Sequence, residues 1–145
     1  MSALSYRQLS KPAISPALRT LNILLAEDHE EMRNFLHAEL RADGHHVATT
    51  RDGREMLAAL TAISELPISK PDAIIMDVRM PECSGMQILA ALRAAQWTTP
   101  VILITAFGDD ALHREATRLG AAAVFDKPFD VDDLKTALWN LEHLP

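Results

Sequence analysis

Residues 71–85 read P-D-A-I-I-M-D-V-R-M-P-E-C-S-G, and the order of residue types within them decides the fold. The apolar run at residues 73–76 is what a strand buried on both faces of a parallel sheet requires. It delivers one carboxylate, Asp77, to its end. Pro81 and Gly85 then break the backbone, which is expected to leave Asp77 at the mouth of a loop, facing solvent.

The same pattern recurs on both sides of this stretch. Residues 22–26 (N-I-L-L-A) form a continuous apolar run that ends in Glu27-Asp28. Asp28 can cap a helix reaching Leu40, with Met32, Phe35, Leu36 and Leu40 on one face, and Gly44 stops it. Residues 46–50 (H-V-A-T-T) are β-branched and more polar, as suits a strand near a sheet edge. Asp52 opens a second helix that turns Met56, Leu57, Leu60 and Ile63 inward and ends before Pro67. Residues 67–71 are a loop. Residues 85–95 make a third helix with Ile88, Leu89 and Leu92 inward, and residues 101–105 (V-I-L-I-T) a fourth strand. A helix over 109–119 closes at Gly120, and a fifth strand over 122–126 leads into Lys127-Pro128-Phe129. Asp130 caps the last helix, whose inward side carries Val131, Leu134, Leu138 and Leu141.

Five strands alternating with five helices demand a parallel sheet with right-handed crossovers and helices on both faces. A closed eight-stranded barrel needs many more residues. The pattern does not reveal strand order. An open doubly wound sheet binds ligands beyond the carboxyl ends of its strands, where the order reverses. No glycine-rich phosphate loop follows any strand.

The bulk numbers set bounds. A chain of 145 residues, 48% hydrophobic and 23% charged, suits one soluble globular domain with a real core. The net charge of −6 is unevenly placed, since residues 1–20 carry Arg7, Lys11 and Arg19 and no acid. Residues 21–145 hold 11 basic against 20 acidic groups, a net of −9. Such a body repels phosphate backbones, which argues against direct nucleic-acid binding. Cys83, the single cysteine, excludes an internal disulfide and a cysteine-based zinc site. Of six histidines only His45 and His46 are neighbours, on opposite faces of a strand, so no histidine zinc site is expected. No apolar run approaches the roughly 20 residues of a membrane helix. Residues 1–20 lack the apolar core of a secretory signal and are expected to be a disordered tail. The domain is expected over 21–145, in the cytoplasm.

Glu27-Asp28, Asp77, Thr105-Ala106 and Lys127-Pro128-Phe129 each stand at a predicted strand's carboxyl end. Together they resemble the receiver domains of bacterial two-component response regulators, over residues 21 to about 143. The resemblance implies a flavodoxin-like, doubly wound (βα)5 α/β fold with a five-stranded parallel sheet in the order 2-1-3-4-5. It implies a phosphoacceptor rather than an enzyme, charged by a histidine kinase or histidine phosphotransfer protein. The residues themselves support that chemistry. Asp77 is a carboxylate nucleophile able to hold an acyl phosphate. Phosphoryl transfer asks mainly for positioning and for cancelled charge on the equatorial oxygens. Glu27, Asp28 and Asp77 are a hard oxygen cluster fit for Mg²⁺ or Mn²⁺. By resemblance, Asp28 and Asp77 bind the metal directly, Glu27 through water, and Arg79 through its backbone carbonyl. Lys127 supplies a cation and Thr105 a hydroxyl for the phosphoryl oxygens, while Ala106 leaves room. The resemblance also implies a cis Lys127–Pro128 bond.

Singly, each residue has a plainer role: Asp28 as a helix cap, Thr105 as strand filler, Lys127 as a solvated loop charge. Their joint placement favours the site. Two departures from the family pattern stand out. Val124 occupies the place of the usual switch aromatic, and Phe125 falls on the opposite face. Two residues beyond Asp77 and Thr105 stand Arg79 and Phe107, and the bulk of Phe107 is expected to slow hydrolysis of the acyl phosphate. With no output segment after the last helix, a stand-alone receiver is expected, signalling to a downstream protein and pairing transiently through residues 106–142. Two rivals remain. One is an unphosphorylated adaptor; the other is an aspartate-nucleophile phosphatase, in which Arg79 replaces the usual second aspartate.

Overall fold

The computed structural model describes residues 20–66 and 70–143. All but the last residue of the expected tail, and most of the 67–71 loop, lie outside them. Five strands, β1 (Asn22–Ala26), β2 (His46–Thr50), β3 (Ala73–Asp77), β4 (Val101–Thr105) and β5 (Ala123–Asp126), alternate with five helices. These are α1 (Glu30–Ala42), α2 (Gly53–Ser64), α3 (Gly85–Ala94), α4 (Asp110–Arg118) and α5 (Val131–His143). Every strand pair is parallel, in the order β2-β1-β3-β4-β5.

Burial follows that order. β3 and β4 are buried throughout and β1 nearly so, whereas β2 and β5 are more open, as sheet edges are. Side chains alternate across the sheet into two layers. Leu24, Ile74, Met76 and Leu103 join Met56, Leu60, Ile88, Leu89 and Ala116 under α2, α3 and α4. Ile23, Leu25, Ile75, Ile102 and Ile104 join Leu36, Leu40, Leu134 and Leu138 under α1 and α5.

Most helix starts follow the expected chemistry. Asp52 accepts a hydrogen bond from Glu55 N–H, Asp109 from Leu112 N–H, and Asp130 from Asp132 N–H. Ser84 and Gln87 close a reciprocal capping box on α3. Gly44 and Gly120, at φ +94° and +79°, take the left-handed conformation that ends α1 and α4.

Three expectations need correction. Asp28 is not a cap: α1 begins one residue later, with His29 in the cap position and no side-chain cap bond. Phe35 is 48% exposed, because Met32, Leu36 and Leu40, four residues apart, form the inward row and Phe35 falls on its flank. Leu57 is exposed beside the inward Met56 and Leu60 for the same reason.

The strand ends are aligned by backbone bonds that run on beyond the sheet. Glu27 N–H donates to Thr50 O, Val78 N–H to Ile104 O, and Lys127 N–H to Thr105 O. Successive crossovers leave β1 toward β2 and β3 toward β4, so the order reverses between β1 and β3. Glu27, Asp28 and Asp77 stand at the carboxyl ends of those two strands, where such sheets open a crevice.

Candidate functional site

Asp77 is the last residue of β3 and, against expectation, is almost wholly buried. Its neighbours cover it. Arg79 N–H donates to Oδ1 at 3.0 Å and Lys127 Nζ to Oδ2 at 2.8 Å. Gly85 permits this packing, because a Cβ there would lie 2.6 Å from the Asp77 carbonyl oxygen. The carboxylate is a recessed floor rather than an outward-facing end.

Lys127 reaches across the sheet from the loop after β5. The Lys127–Pro128 bond is cis, as expected. Its ammonium also donates to Glu27 Oε1 at 2.9 Å, so one cation serves two buried carboxylates. Burial works against the Lys127 charge, yet the hydrogen bonds to Asp77 and Glu27 outweigh it and hold its pKa above the ordinary lysine value. Glu27 is fully buried. Desolvation lifts its carboxyl above the usual glutamate value and the charge of Asp77 adds to the lift, while the His29 N–H and Lys127 oppose it.

Asp28 completes the acidic face. Its side chain is 30% exposed, yet Oδ1 is buried and accepts no hydrogen bond. A buried carboxylate oxygen without a partner is costly, and a cation is the partner that would satisfy it. Carboxylate oxygens of Glu27, Asp28 and Asp77, with a ring nitrogen of His29, lie within 4.8 Å of one another. Three carboxylates against one ammonium leave two negative charges, the match of one divalent cation. The donor set therefore fits a metal dication.

Thr105, fully buried at the end of β4, accepts Phe107 N–H on Oγ1 at 3.1 Å and retains its own hydroxyl proton to donate. Arg79, two residues past Asp77, and Phe107, two past Thr105, meet each other, the guanidinium carbon 4.6 Å from the ring centroid, with Phe107 66% exposed. Val124 packs under the α2–α4 face and Phe125 under the α1–α5 face, 5.9 Å from the Phe129 ring. No aromatic of β5 therefore backs Thr105 on the usual side.

The residues singled out from sequence thus converge. Glu27, Asp77 and Lys127 touch directly, Asp28 adjoins them, and Thr105 ends the strand beside Asp77. Two residues were missed. His29 approaches Asp28 and Glu27, and Arg33 donates to the Glu27 carbonyl oxygen at 3.0 Å, tying α1 to the end of β1. A helix start placed at Glu30 rather than Asp28 would have freed His29 for consideration.

Comparison with known proteins points the same way. The family described as "Response regulator receiver domain" matches residues 23–139. Regulatory protein AtoC of Escherichia coli (strain K12) is 35% identical over 112 residues, 77% of this chain and 23% of AtoC. Sporulation initiation phosphotransferase F of Bacillus subtilis (strain 168) is 28% identical over 116 residues, 80% of this chain and 89% of that protein. The solved structure of chemotaxis response regulator CheY4 of Vibrio cholerae superposes with a TM-score of 0.72 at 27% identity, covering 85% of this chain and 99% of that one. The match thus spans most of the phosphotransferase but less than a quarter of AtoC. Among the described residues, no helix is long and apolar enough to cross a membrane.

Proposed function

The chain belongs to the response regulator receiver domain family, and from that premise we propose that Asp77 accepts a phosphoryl group from a phosphohistidine of a histidine kinase or histidine phosphotransfer protein. The observation that carries this reading is the Lys127 ammonium, held 2.8 Å from Asp77 and 2.9 Å from Glu27 beside an Asp28 oxygen that accepts no hydrogen bond. An adaptor has no use for two buried carboxylates sharing one lysine beside a third.

An Asp77 carboxylate oxygen attacks phosphorus. The P–O bond forms as the P–N bond of the donor breaks, and the bond pair leaves on the imidazole nitrogen, so no external proton or cofactor turnover is required. Glu27, Asp28, Asp77 and the backbone carbonyl of Arg79 would hold Mg²⁺ or Mn²⁺, which when bound neutralises charge on the phosphoryl oxygens. Lys127 is placed to exchange its Asp77 contact for a phosphoryl oxygen. Thr105 donates its hydroxyl to another. Gly108 and Ala106 flank Thr105 without side-chain bulk.

Arg79 and Phe107, stacked on each other two residues past Asp77 and Thr105, would as a cover over this floor exclude water and slow hydrolysis of the acyl phosphate. With Val124 in place of a switch aromatic on β5, a shift of Thr105 is transmitted through residues 107–110 rather than through an aromatic rotation. We assign the face of residues 106–142 to a downstream protein and to transient two-fold pairing.

The deciding measurement is intact mass after incubation with Mg²⁺ and acetyl phosphate. One phosphoryl group is gained by the wild-type chain and none by Asp77→Asn. A wild-type chain that gains nothing overturns the reading, and turnover of a generic phosphoester without stable labelling points to a phosphatase instead.

A further inference from the structure

His29 stands where the sheet's metal-holding pole meets the start of α1, and its backbone is fixed at both ends. Its N–H donates to Glu27 Oε2 at 3.0 Å, and its carbonyl oxygen accepts Arg33 N–H at 2.9 Å. The side chain is 77% exposed and makes no cap bond to the helix it begins. It leans instead toward the acids, with Nδ1 3.5 Å from Asp28 Oδ1 and 3.6 Å from Glu27 Oε2.

Those separations resemble the edges of a coordination polyhedron. Adjacent ligands about 2.1 Å from a common cation stand roughly 3.0 Å apart at right angles, and further apart in tetrahedral geometry. The ring nitrogen therefore needs only a small adjustment to share an ion with Asp28. The Asp28 oxygen nearest to it is the buried acceptor without a hydrogen bond. That missing hydrogen bond leaves room for a cation between the two groups.

Resting on the reading of Glu27, Asp28 and Asp77 as metal-holding, we propose that His29 Nδ1 is a further protein ligand and that it biases the site toward imidazole-favouring dications such as Co²⁺, Ni²⁺ or Zn²⁺. Oxygen-only clusters suit Mg²⁺, which keeps its waters and gains little from nitrogen. Borderline first-row dications gain substantially from imidazole. The ring displaces one water from such an ion and leaves an oxygen-bound Mg²⁺ nearly unaffected. Selectivity thus depends on a residue outside the acidic set.

The test is calorimetric titration of the full chain with CoCl₂ and with MgCl₂, at one fixed pH, for wild type, His29→Asn and Asp28→Asn. His29→Asn is expected to weaken Co²⁺ binding about tenfold or more while changing Mg²⁺ binding by less than about twofold. Proton NMR of the Co²⁺ form supplies a second readout. A hyperfine-shifted, exchangeable imidazole N–H resonance is expected in the wild type, and it disappears in His29→Asn and in Asp28→Asn.

Equal losses for both metals, or a wild-type Co²⁺ form without that resonance, overturn the role of His29 and leave the phosphoacceptor reading intact. Absence of binding by either metal in the wild type removes the premise itself. Because His29 is exposed, its substitution does not threaten folding, and the wild-type spectrum decides independently of any variant.

Discussion

At the scale of single residues, Asp77 and Lys127 have opposite effects on stability. Glu27 and Asp77 are buried and share one ammonium, with Asp28 alongside. Replacing Asp77 by Asn removes one charge, relieves the lift on Glu27 and keeps an acceptor for Arg79 N–H. Without metal, Asp77→Asn is expected to be more stable than wild type by roughly 1 kcal/mol, the order of the Coulomb repulsion between two charges a few ångströms apart in a well-screened setting. Lys127→Met does the reverse, stranding two buried carboxylates, and is expected to cost about 3 kcal/mol or more. Urea unfolding of the three proteins checks both signs. An Asp77→Asn protein less stable than wild type would mean that the Lys127 pair outweighs the crowding. The chemistry at this scale was largely legible: Asp77, Glu27, Asp28 and Lys127 could be picked out because each follows an apolar run. Their burial was not. An Asp at a strand end reads as exposed until a lysine 50 positions away is seen to cover it.

At the scale of elements, the loops after β3 and β4 meet through Arg79 and Phe107. A planar cation on an aromatic face contributes only about 0.5–1 kcal/mol at an exposed position, so the contact opens readily and acts by excluding water rather than by adding stability. Phe107→Ala is expected to leave the folding free energy within about 0.5 kcal/mol of wild type. It should shorten the half-life of the Asp77 acyl phosphate severalfold, read by loss of the phosphorylated mass after the donor is removed. An unchanged half-life would show that Phe107 does not shield the group. Helix starts were legible where an aspartate without a rival precedes the first turn, as at Asp52 and Asp130. They were not legible at Glu27-Asp28-His29, where several residues compete for the cap and the acidic site claims Asp28. Arg93 was invisible for another reason. It donates to the carbonyl oxygens of Trp97, Thr99, Leu119 and Gly120, joining the ends of α3 and α4 through partners up to 27 residues away. No local pattern announces such a bond.

At the scale of the whole molecule, alternation of strand and helix was sufficient for a parallel, two-layered sheet, because apolar runs without period two must be buried on both faces. Strand order was another matter. Several orders built from right-handed crossovers leave residues 46–50 at an edge and bury the other runs, so 2-1-3-4-5 came from resemblance and was then observed in the fold. That order has an energetic consequence, for it brings the ends of β1 and β3 together and concentrates three carboxylates at one pole of a body already at −9. A dication that binds only the folded chain must then stabilise it. At a free Mg²⁺ concentration ten times the dissociation constant, mass action contributes about 1.4 kcal/mol, a rise of roughly 5 °C in Tm for a domain of this size. Differential scanning calorimetry across a Mg²⁺ series is expected to show that rise growing logarithmically. Asp28→Asn, which removes the negative charge from this carboxylate, should show little of it at the same concentrations. Monovalent salt at matched ionic strength supplies the control, because screening alone relieves general repulsion without needing Asp28. A Tm that climbs equally with Na⁺ and Mg²⁺, or equally in both proteins, would place the effect in the overall charge and not in the pole that the strand order creates.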